Sequence, residues 1–457
     1  MNGDHTDGSQ SLVEYGIEDR PPAGKSLALG VQHLLAMFLS TVALPLVIAG
    51  GIGLSPSDTV FIVQMALFVA GLATVVQVYP LGPVGARLPI VMGTSAIFVS
   101  PLIDVGSEFG LAAIFGAVIV AAPIEVILGY VFKDVRRFFP PLVTGIVVML
   151  VGLTLIPTAM QYAAGGPGAP TYGNLENLGL AALVLLVSVG LNQFFDGFAR
   201  AASVLVAVVI GYFVAIPLGI LDLSSVSEAA WFSLPMPLSY GVAFEPSAIV
   251  LVAFAYIITG METIGDISGT TESVGREPTN EETKGGLVAD GVMSAFAGVF
   301  GAFPNTSFSQ NVGLISFTGV ASRFVVAISG VLLIVLGLVP KVAEVVAAMP
   351  NPVLGGAAVV LFGMIFSIGL RIVSRGAELN RRTLTILAVS VLLGVGVEWQ
   401  SDALAQLPQD IQLFATSGII VGGTVALVLN AILPKHVSQM DAGPTDERVT
   451  ESEEENG

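Results

Sequence analysis

With 457 residues, 54% hydrophobic and only 11% charged, the chain excludes an ordinary soluble domain and points to a polytopic helical membrane protein. Its formal net charge of −17 speaks against nucleic-acid binding, because phosphate repels that sign. The absence of cysteine excludes disulfides and thiolate metal sites, and the three scattered histidines, His5, His33 and His436, are too few for a metal cluster.

The chain opens with a polar, acidic stretch, residues 1–24, which lacks the regions of a cleavable signal peptide and reads as a cytoplasmic tail. Apolar segments follow at 27–49, 59–79, 94–105, 110–132, 141–158, 178–194 and 203–221. A second set lies at 248–270, 286–302, 310–321, 322–339, 353–373, 382–397 and 413–433, giving fourteen expected transmembrane segments, two of them short. Residues 435–457, rich in glutamate, read as an acidic, disordered cytoplasmic tail. With the N-terminus inside, the cytoplasmic connections hold 16 of the 17 Lys and Arg, and only Lys341 falls outside. The outer connections instead carry carboxylates, among them Asp58, Asp104, Glu108, Glu398, Asp402 and Asp410. This alternation supports fourteen spans, a multi-pass place in the cell membrane and cytoplasmic termini. Seven spans per half, an odd number, turn the second half upside down relative to the first.

Two stretches break the apolar pattern, each at the third segment of its half. Residues 303–323, FPNTSFSQNVGLISFTGVASR, and 88–104, LPIVMGTSAIFVSPLID, both put a proline and a polar extended piece before a half-length helix. Non-helical backbone at membrane depth is tolerated only inside protein or beside a water-filled cavity. Paired interruptions in corresponding halves mark a substrate site between repeats. The two half-helix N-termini should meet near the midplane, where their free N–H groups attract carbonyl oxygens or an anion.

Ionisable groups inside the membrane are the next candidates. Glu262 and Asp266 stand four residues apart on one face of the eighth segment. The competing reading ends that helix near Met261 and leaves both acids in the cytosol. Asp290 in the ninth segment is either an acceptor supporting the eighth and tenth segments or a charge at the start of its helix. Glu125 reads as a snorkelling residue or a structural partner of Lys133 two turns on. His33, after Gln32, is either a packing residue or an orienter of the site. No phosphate loop, zinc motif or serine–histidine triad occurs, so an enzyme is not expected.

The run Gln310-Asn311-Val312-Gly313-Leu314-Ile315-Ser316-Phe317-Thr318-Gly319 resembles the signature of the nucleobase–ascorbate transporters, also called nucleobase:cation symporters of the second type. That signature is Gln, Glu or Pro, then Asn-x-Gly, four free positions, Thr, and Arg, Lys or Gly, and every fixed position matches. Ala321-Ser322-Arg323, Gln32-His33 and Glu262-x-x-x-Asp266 match too, and the resemblance covers about 25–434. It implies a 7+7 inverted repeat with short antiparallel strands before half-helices 3 and 10. It also implies a core domain (25–133 and 246–340, spans 1–4 and 8–11) and a gate domain (134–245 and 341–434, spans 5–7 and 12–14), with a homodimer formed through the gate. Transport in the family couples a nucleobase to protons or, in some members, sodium. The uracil branch has glutamate first in the signature and a histidine four residues after the eighth-span glutamate. Gln310 and Asp266 stand there instead, which is similar to the xanthine and urate permeases.

The expected function is therefore import of xanthine or urate by proton symport, with Na+ as the alternative ion and no cofactor or metal. Glu262 would accept ring N–H groups, Gln310 would pair with a carbonyl and an N–H, and Asn311 and Ser309 would complete the tenth-span side. Main-chain N–H groups near Ala96–Phe98 would meet remaining oxygens, and Phe98 would stack on the base. Glu262 and Asp266 would carry the coupled proton. Asp290, His33, Thr94 and Thr318 would support them from behind. The rivals are a uracil permease of the same family and an anion carrier of the sulfate or bicarbonate kind; an ionised Glu262 would repel the latter's cargo.

Overall fold

The computed structural model describes residues 13–135 and 140–434. The acidic C-terminal tail, residues 1–12 of the N-terminal tail, and Arg136 and Arg137 lie outside the described residues, as do the side chains of Lys133 and Asp410.

Local chemistry sets many of the helix ends. Helix α1 (Ala23–Gly51) is followed by α2 (Pro56–Val78), whose Ser55 cap accepts the Asp58 N–H, with Pro56 in the first turn, where a missing N–H costs nothing. Strand β1 (Met92–Thr94), a 3-10 turn at Ala96–Phe98 and the short α3 (Val99–Phe109) come next. The expected fourth span is two helices, α4 (Leu111–Ala121) and α5 (Pro123–Val135), because Pro123 cannot donate to the helical ladder. Pro157 similarly divides the fifth into α6 (Pro141–Thr154) and α7 (Ile156–Ala163). The first half ends with α8 (Leu175–Phe194), the five-residue α9 (Gly197–Ala201) and α10 (Ser203–Ala215), and α11 (Ser224–Glu228) lies in the connection.

The second half begins with α12 (Pro246–Glu272) and α13 (Asn280–Val299), the latter opened by a Thr279–Glu282 capping box. Strand β2 (Asn305–Ser307) leads into the ten-residue α14 (Ser309–Thr318), which Gly319 closes in the left-handed conformation. Then come α15 (Arg323–Gly337) and α16 (Pro340–Ala347), bent by 83°, followed by α17 (Asn351–Gly376), α18 (Arg381–Trp399), α19 (Gln409–Ala415) and α20 (Gly418–Ile432). Each expected segment thus carries helix. Eight helices among the described residues are long and apolar enough to cross a membrane, or nine with the bent pair.

Packing sorts the helices into two groups. In one, α15 lies along α2 and α1, α13 along α5, α4 and α2, and α12 along α4. In the other, α17 lies along α6, α7 and α8, α20 along α18 and α6, and α10 along α8. In α8 and α18 only 28% and 22% of the most apolar window is buried, so their outer faces are left for lipid or a partner.

At the centre of the first group β1 and β2 pair antiparallel, with Met92 opposite Ser307, Gly93 opposite Thr306 and Thr94 opposite Asn305. Phe308 N–H donates to Val91 O at 3.0 Å and Ser95 N–H to Pro304 O at 2.9 Å, extending the ladder one residue at each end. The pattern is symmetric about the Gly93–Thr306 pair. A Cβ at Gly93 would run into the Phe308 ring and the Thr41 hydroxyl, so only glycine lets the strands cross here.

One end of this group is tied by the residues before α1. Glu14 and Tyr15 N–H donate to Gly319 O at 2.7 and 3.2 Å, and Tyr15 O and Ile17 O accept from the N–H groups of Ala321 and Arg323 at 2.8 and 3.0 Å. Glu18 accepts from Arg87 Nε at 3.0 Å and from Arg323 Nη2 at 2.8 Å, bridging the loop before β1 to the start of α15. The Arg87 hydrogen bond, with Arg323 beside it, holds the Glu18 carboxyl below its usual range. A depressed carboxyl stabilises the fold above its unfolded pKa, and that contribution is lost as pH falls through the folded value.

Two outcomes are expected. Gly93→Ala overpacks the strand crossing and costs ~1–3 kcal/mol, read as a lower thermal unfolding midpoint in detergent. Acidification to about pH 3, below the ordinary glutamate value of about 4.3, frees the bridge and speeds hydrogen exchange at the Ala321 and Arg323 amides; Glu18→Gln does so already at neutral pH.

Candidate functional site

The strand crossing forms the floor of a cavity between the two helix groups. Thr94, Ala96, Ile97, Glu262, Thr306, Phe308 and Gln310 line one side, and Val148, Val151, Leu361 and Ile365 line the other. Ser40, Gln310 and Leu361 also border a wider cleft that continues past Phe317 to Asn192 and Arg200. At the opposite end the groups are joined: Ser100 Oγ of α3 donates to Glu398 Oε1 of α18 at 2.6 Å, and Gly418 N–H donates to Glu398 Oε2 at 2.6 Å. Asp104, Glu108 and Asp402 line a cavity at that end.

Glu262 lies mid-helix in α12, which runs on to Glu272, so the reading in which the helix stops near Met261 does not hold. Its carboxylate reaches the cavity and has no hydrogen-bond partner among the described residues, and the same is true of the Gln310 amide at the start of α14. The Thr306 hydroxyl, in the same wall, is buried without a partner. Of the three only Thr306 is fully buried, where an unpaired polar group costs ~1–3 kcal/mol, and together they favour a ligand that offers both donors and acceptors.

Asp266, one turn beyond Glu262, faces the strand instead. Its two oxygens accept from Ser307 Oγ at 2.6 Å and Ser309 Oγ at 2.5 Å, fastening β2 and the first turn of α14 to α12. Asp290 is buried in α13, accepting from Gln77 Nε2 at 3.0 Å and from the Thr263 hydroxyl. It is a buried acceptor rather than a surface charge, but its donors stand in the eighth and second segments and not in the tenth. Asn311 Nδ2 meets His33 Nδ1 and His33 O, both at 3.0 Å, so His33 orients the tenth segment through Asn311.

Several expected side chains lie elsewhere. The Phe98 ring is fully buried and packs edge-on against Tyr256, centroids 4.8 Å apart, so it does not stack in the cavity; the ring that lines it is Phe308. The Ser309 hydroxyl is taken up by Asp266, and Asn311 is buried behind the cavity wall. Thr94 lines the cavity and donates to Thr41 O at 3.3 Å. Thr318 bonds Leu314 O at 2.9 Å at the far end of α14, where it serves the helix terminus. Glu125 is buried, not snorkelling. Thr306, Phe308, Thr263 and Gln77 were not singled out by sequence reasoning. Only the polar run 303–323 signalled the first two, and nothing distinguished Gln77 within its apolar helix.

Residues 24–402 match the model of a permease family, that of the xanthine and uracil permeases. The chain is 40% identical over 442 residues to the xanthine permease XanP of Escherichia coli, covering 93% of this chain and 95% of that protein. It is 37% identical over 420 residues to the uric acid permease PucK of Bacillus subtilis, covering 91% and 97%. Among solved structures, the murine anion transporter Slc26a9 in its inward-facing state aligns with a TM-score of 0.64 at 14% identity, over 92% of this chain and 69% of that one. At that identity the likeness shows the fold alone.

Asp266→Ala would leave the Ser307 and Ser309 hydroxyls without an acceptor. A loss of ~1–3 kcal/mol for each is expected, seen as a lower unfolding midpoint, with Asp266→Asn restoring part of it.

Proposed function

Because the chain belongs to the nucleobase–ascorbate transporter family and its relatives are permeases rather than enzymes, we propose that this nucleobase transporter imports an oxidised purine, xanthine or urate, by proton symport. The observation that carries the reading is the pair Glu262 and Gln310, both unpartnered within the protein and both facing one cavity. Glu262 accepts from ring N–H groups, and Gln310 donates to a ring carbonyl and accepts from an N–H. The first-turn N–H groups of the 3-10 turn and of α14 other than those of Ile97 and Asn311, which Ser95 Oγ and Phe308 O take up, meet the remaining oxygens. Phe308 supplies the aromatic face.

A carboxyl lining a membrane cavity is also a seat for the coupled proton. Glu262 loads a proton with the substrate, and Asp266 answers through Ser307 and Ser309. The Asp266 hydrogen bonds then carry the change in charge to the strand crossing, which biases motion between the helix groups. The first group acts as a core domain and the second as a gate, arranged as fourteen spans in a 7+7 inverted repeat. The symmetric register about Gly93 and Thr306 supports that arrangement. The arginine-bearing end, with Arg87, Arg200 and Arg323, faces the cytoplasm together with both termini. The cleft then opens inward, and the Ser100–Glu398 contact closes the outer side. The exposed faces of α8 and α18 in the gate are the dimer surface.

The alternative on the same fold is an anion carrier. Glu262 and Gln310 in the cavity wall disfavour it, since sulfate and bicarbonate offer no N–H groups for these acceptors. A uracil permease is disfavoured by Gln310 and Asp266, where that branch has glutamate and histidine.

The test is uptake of labelled xanthine by proteoliposomes under an inward proton gradient. Urate is expected to compete, and uracil and sulfate are not. Glu262→Gln is expected to abolish accumulation, and Asn311→Ser to shift affinity, by ~10-fold for 1.4 kcal/mol. Accumulation by Glu262→Gln equal to the unmodified protein contradicts the reading, as does competition by sulfate.

A further inference from the structure

One carboxyl inside the bundle lies outside the cavity. Glu125 stands in the first turn of α5, just after the break at Pro123, with 0% of its surface exposed. Neither of its oxygens has a well-formed hydrogen bond. The hydroxyl beside it, Thr259, is turned to the carbonyls of Ala255 and Tyr256 at 3.3 and 3.1 Å, and the Tyr256 hydroxyl to Val118 O at 3.2 Å. A Cβ at Gly260 would stand 3.8 Å from Glu125 Oε1, so the carboxyl rests on the α12 backbone two residues before Glu262.

Its charged and titratable surroundings are one-sided. From α12 it faces Tyr256 and Glu262, and from α13 Asp290, while α4 presents no titratable side chain. No cation is paired with it among the described residues, and Lys284 of α13 sits instead over the Tyr130 ring at 3.8 Å. Asp290 connects onward: Thr263 donates to it, Ser307 Oγ lies 3.4 Å from Thr263 Oγ1, and Ser307 donates to Asp266. A row of acids therefore runs from α5 through Asp290 to the cavity.

A buried carboxyl whose neighbouring hydroxyl is turned to main-chain carbonyls, and which has no counter-ion among the described residues, is costly to keep beside other acids. Packing alone does not call for an acid here, because apolar atoms would fill the same space at no such cost. Acids at membrane depth otherwise mark ion or proton pathways.

We propose that Glu125 is a second proton-carrying site of this transporter, loaded with a proton on the same side of the membrane as Glu262 and emptied on the other. Each step moves one proton onto or off a carboxyl oxygen and needs no other reactant. The inference rests on the proton-symport reading.

The experiment measures protons and labelled xanthine entering the same proteoliposomes, over a range of pH. Glu125→Gln keeps the size and neutrality of the buried acid. It is expected to lower the proton-to-xanthine ratio ~2-fold, as one of two coupled sites is lost, and to flatten the pH profile of uptake. Glu125→Leu, which also removes the unpaired acid, gives the same ratio and guards against a folding defect in either variant. A ratio and pH profile unchanged in both variants overturn the proposal and leave Glu125 a static neutral filler. If xanthine moves no protons in the unmodified protein, the symport reading itself fails, and this inference with it.

Discussion

Everything about the site depends on the antiparallel pairing of three residues with three others more than two hundred positions away. Neither strand is stable alone in a membrane, because its peptide groups would be left without partners. Paired, each satisfies the other, and the residues that follow are released into half-length helices whose first turns point at a common cavity. Gly93 permits the crossing by lacking a side chain, and its partner Thr306 keeps a free hydroxyl in the cavity wall. The substrate side chains are thus held by a backbone constraint and not by a loop.

Around that crossing, the buried polar groups divide into those that are satisfied and those that are not. Asp266, Asp290 and the Asn311 Nδ2 group are occupied with Ser307, Ser309, Thr263, Gln77 and His33, and they fasten α1, α2, α12 and α13 to the crossing, while Asn311 Oδ1 has no partner. Glu262, Gln310 and Thr306 are left over, and they share one cavity. Rigidity is supplied by the first set, and the second is left available to a ligand, which is how a preorganised site is expected to be built. Apolar side chains from the other helix group, Val148, Val151, Leu361 and Ile365, close the cavity without competing for the polar groups.

Much of this was legible in the sequence. The apolar runs placed a helix at each expected segment, and the two polar interruptions marked the half-helices and the strands between them. Glu262 and Gln310 could be named from their positions in α12 and at the start of α14. What stayed hidden were side-chain directions set by distant neighbours. Phe98 turns away because Tyr256 of α12 offers an edge-on partner. Ser309 is lost to the cavity because Asp266 lies within reach of its hydroxyl, a consequence of how α14 meets α12. The burial of Glu125 follows from the break at Pro123, which a hydropathy pattern runs straight through. Gln77 gave no signal because its partner, Asp290, belongs to the other half of the chain.

The account's central claim is that the base is held at the crossing, with Glu262 and Gln310 on one face and the apolar gate wall on the other. An experimental structure of the purified protein saturated with xanthine tests this most directly. The account predicts planar density between the 3-10 turn at Ala96–Phe98 and the first turn of α14, within hydrogen-bond distance of Glu262 and Gln310. Density confined to the wider cleft near Arg200, without contact to Glu262, would contradict it.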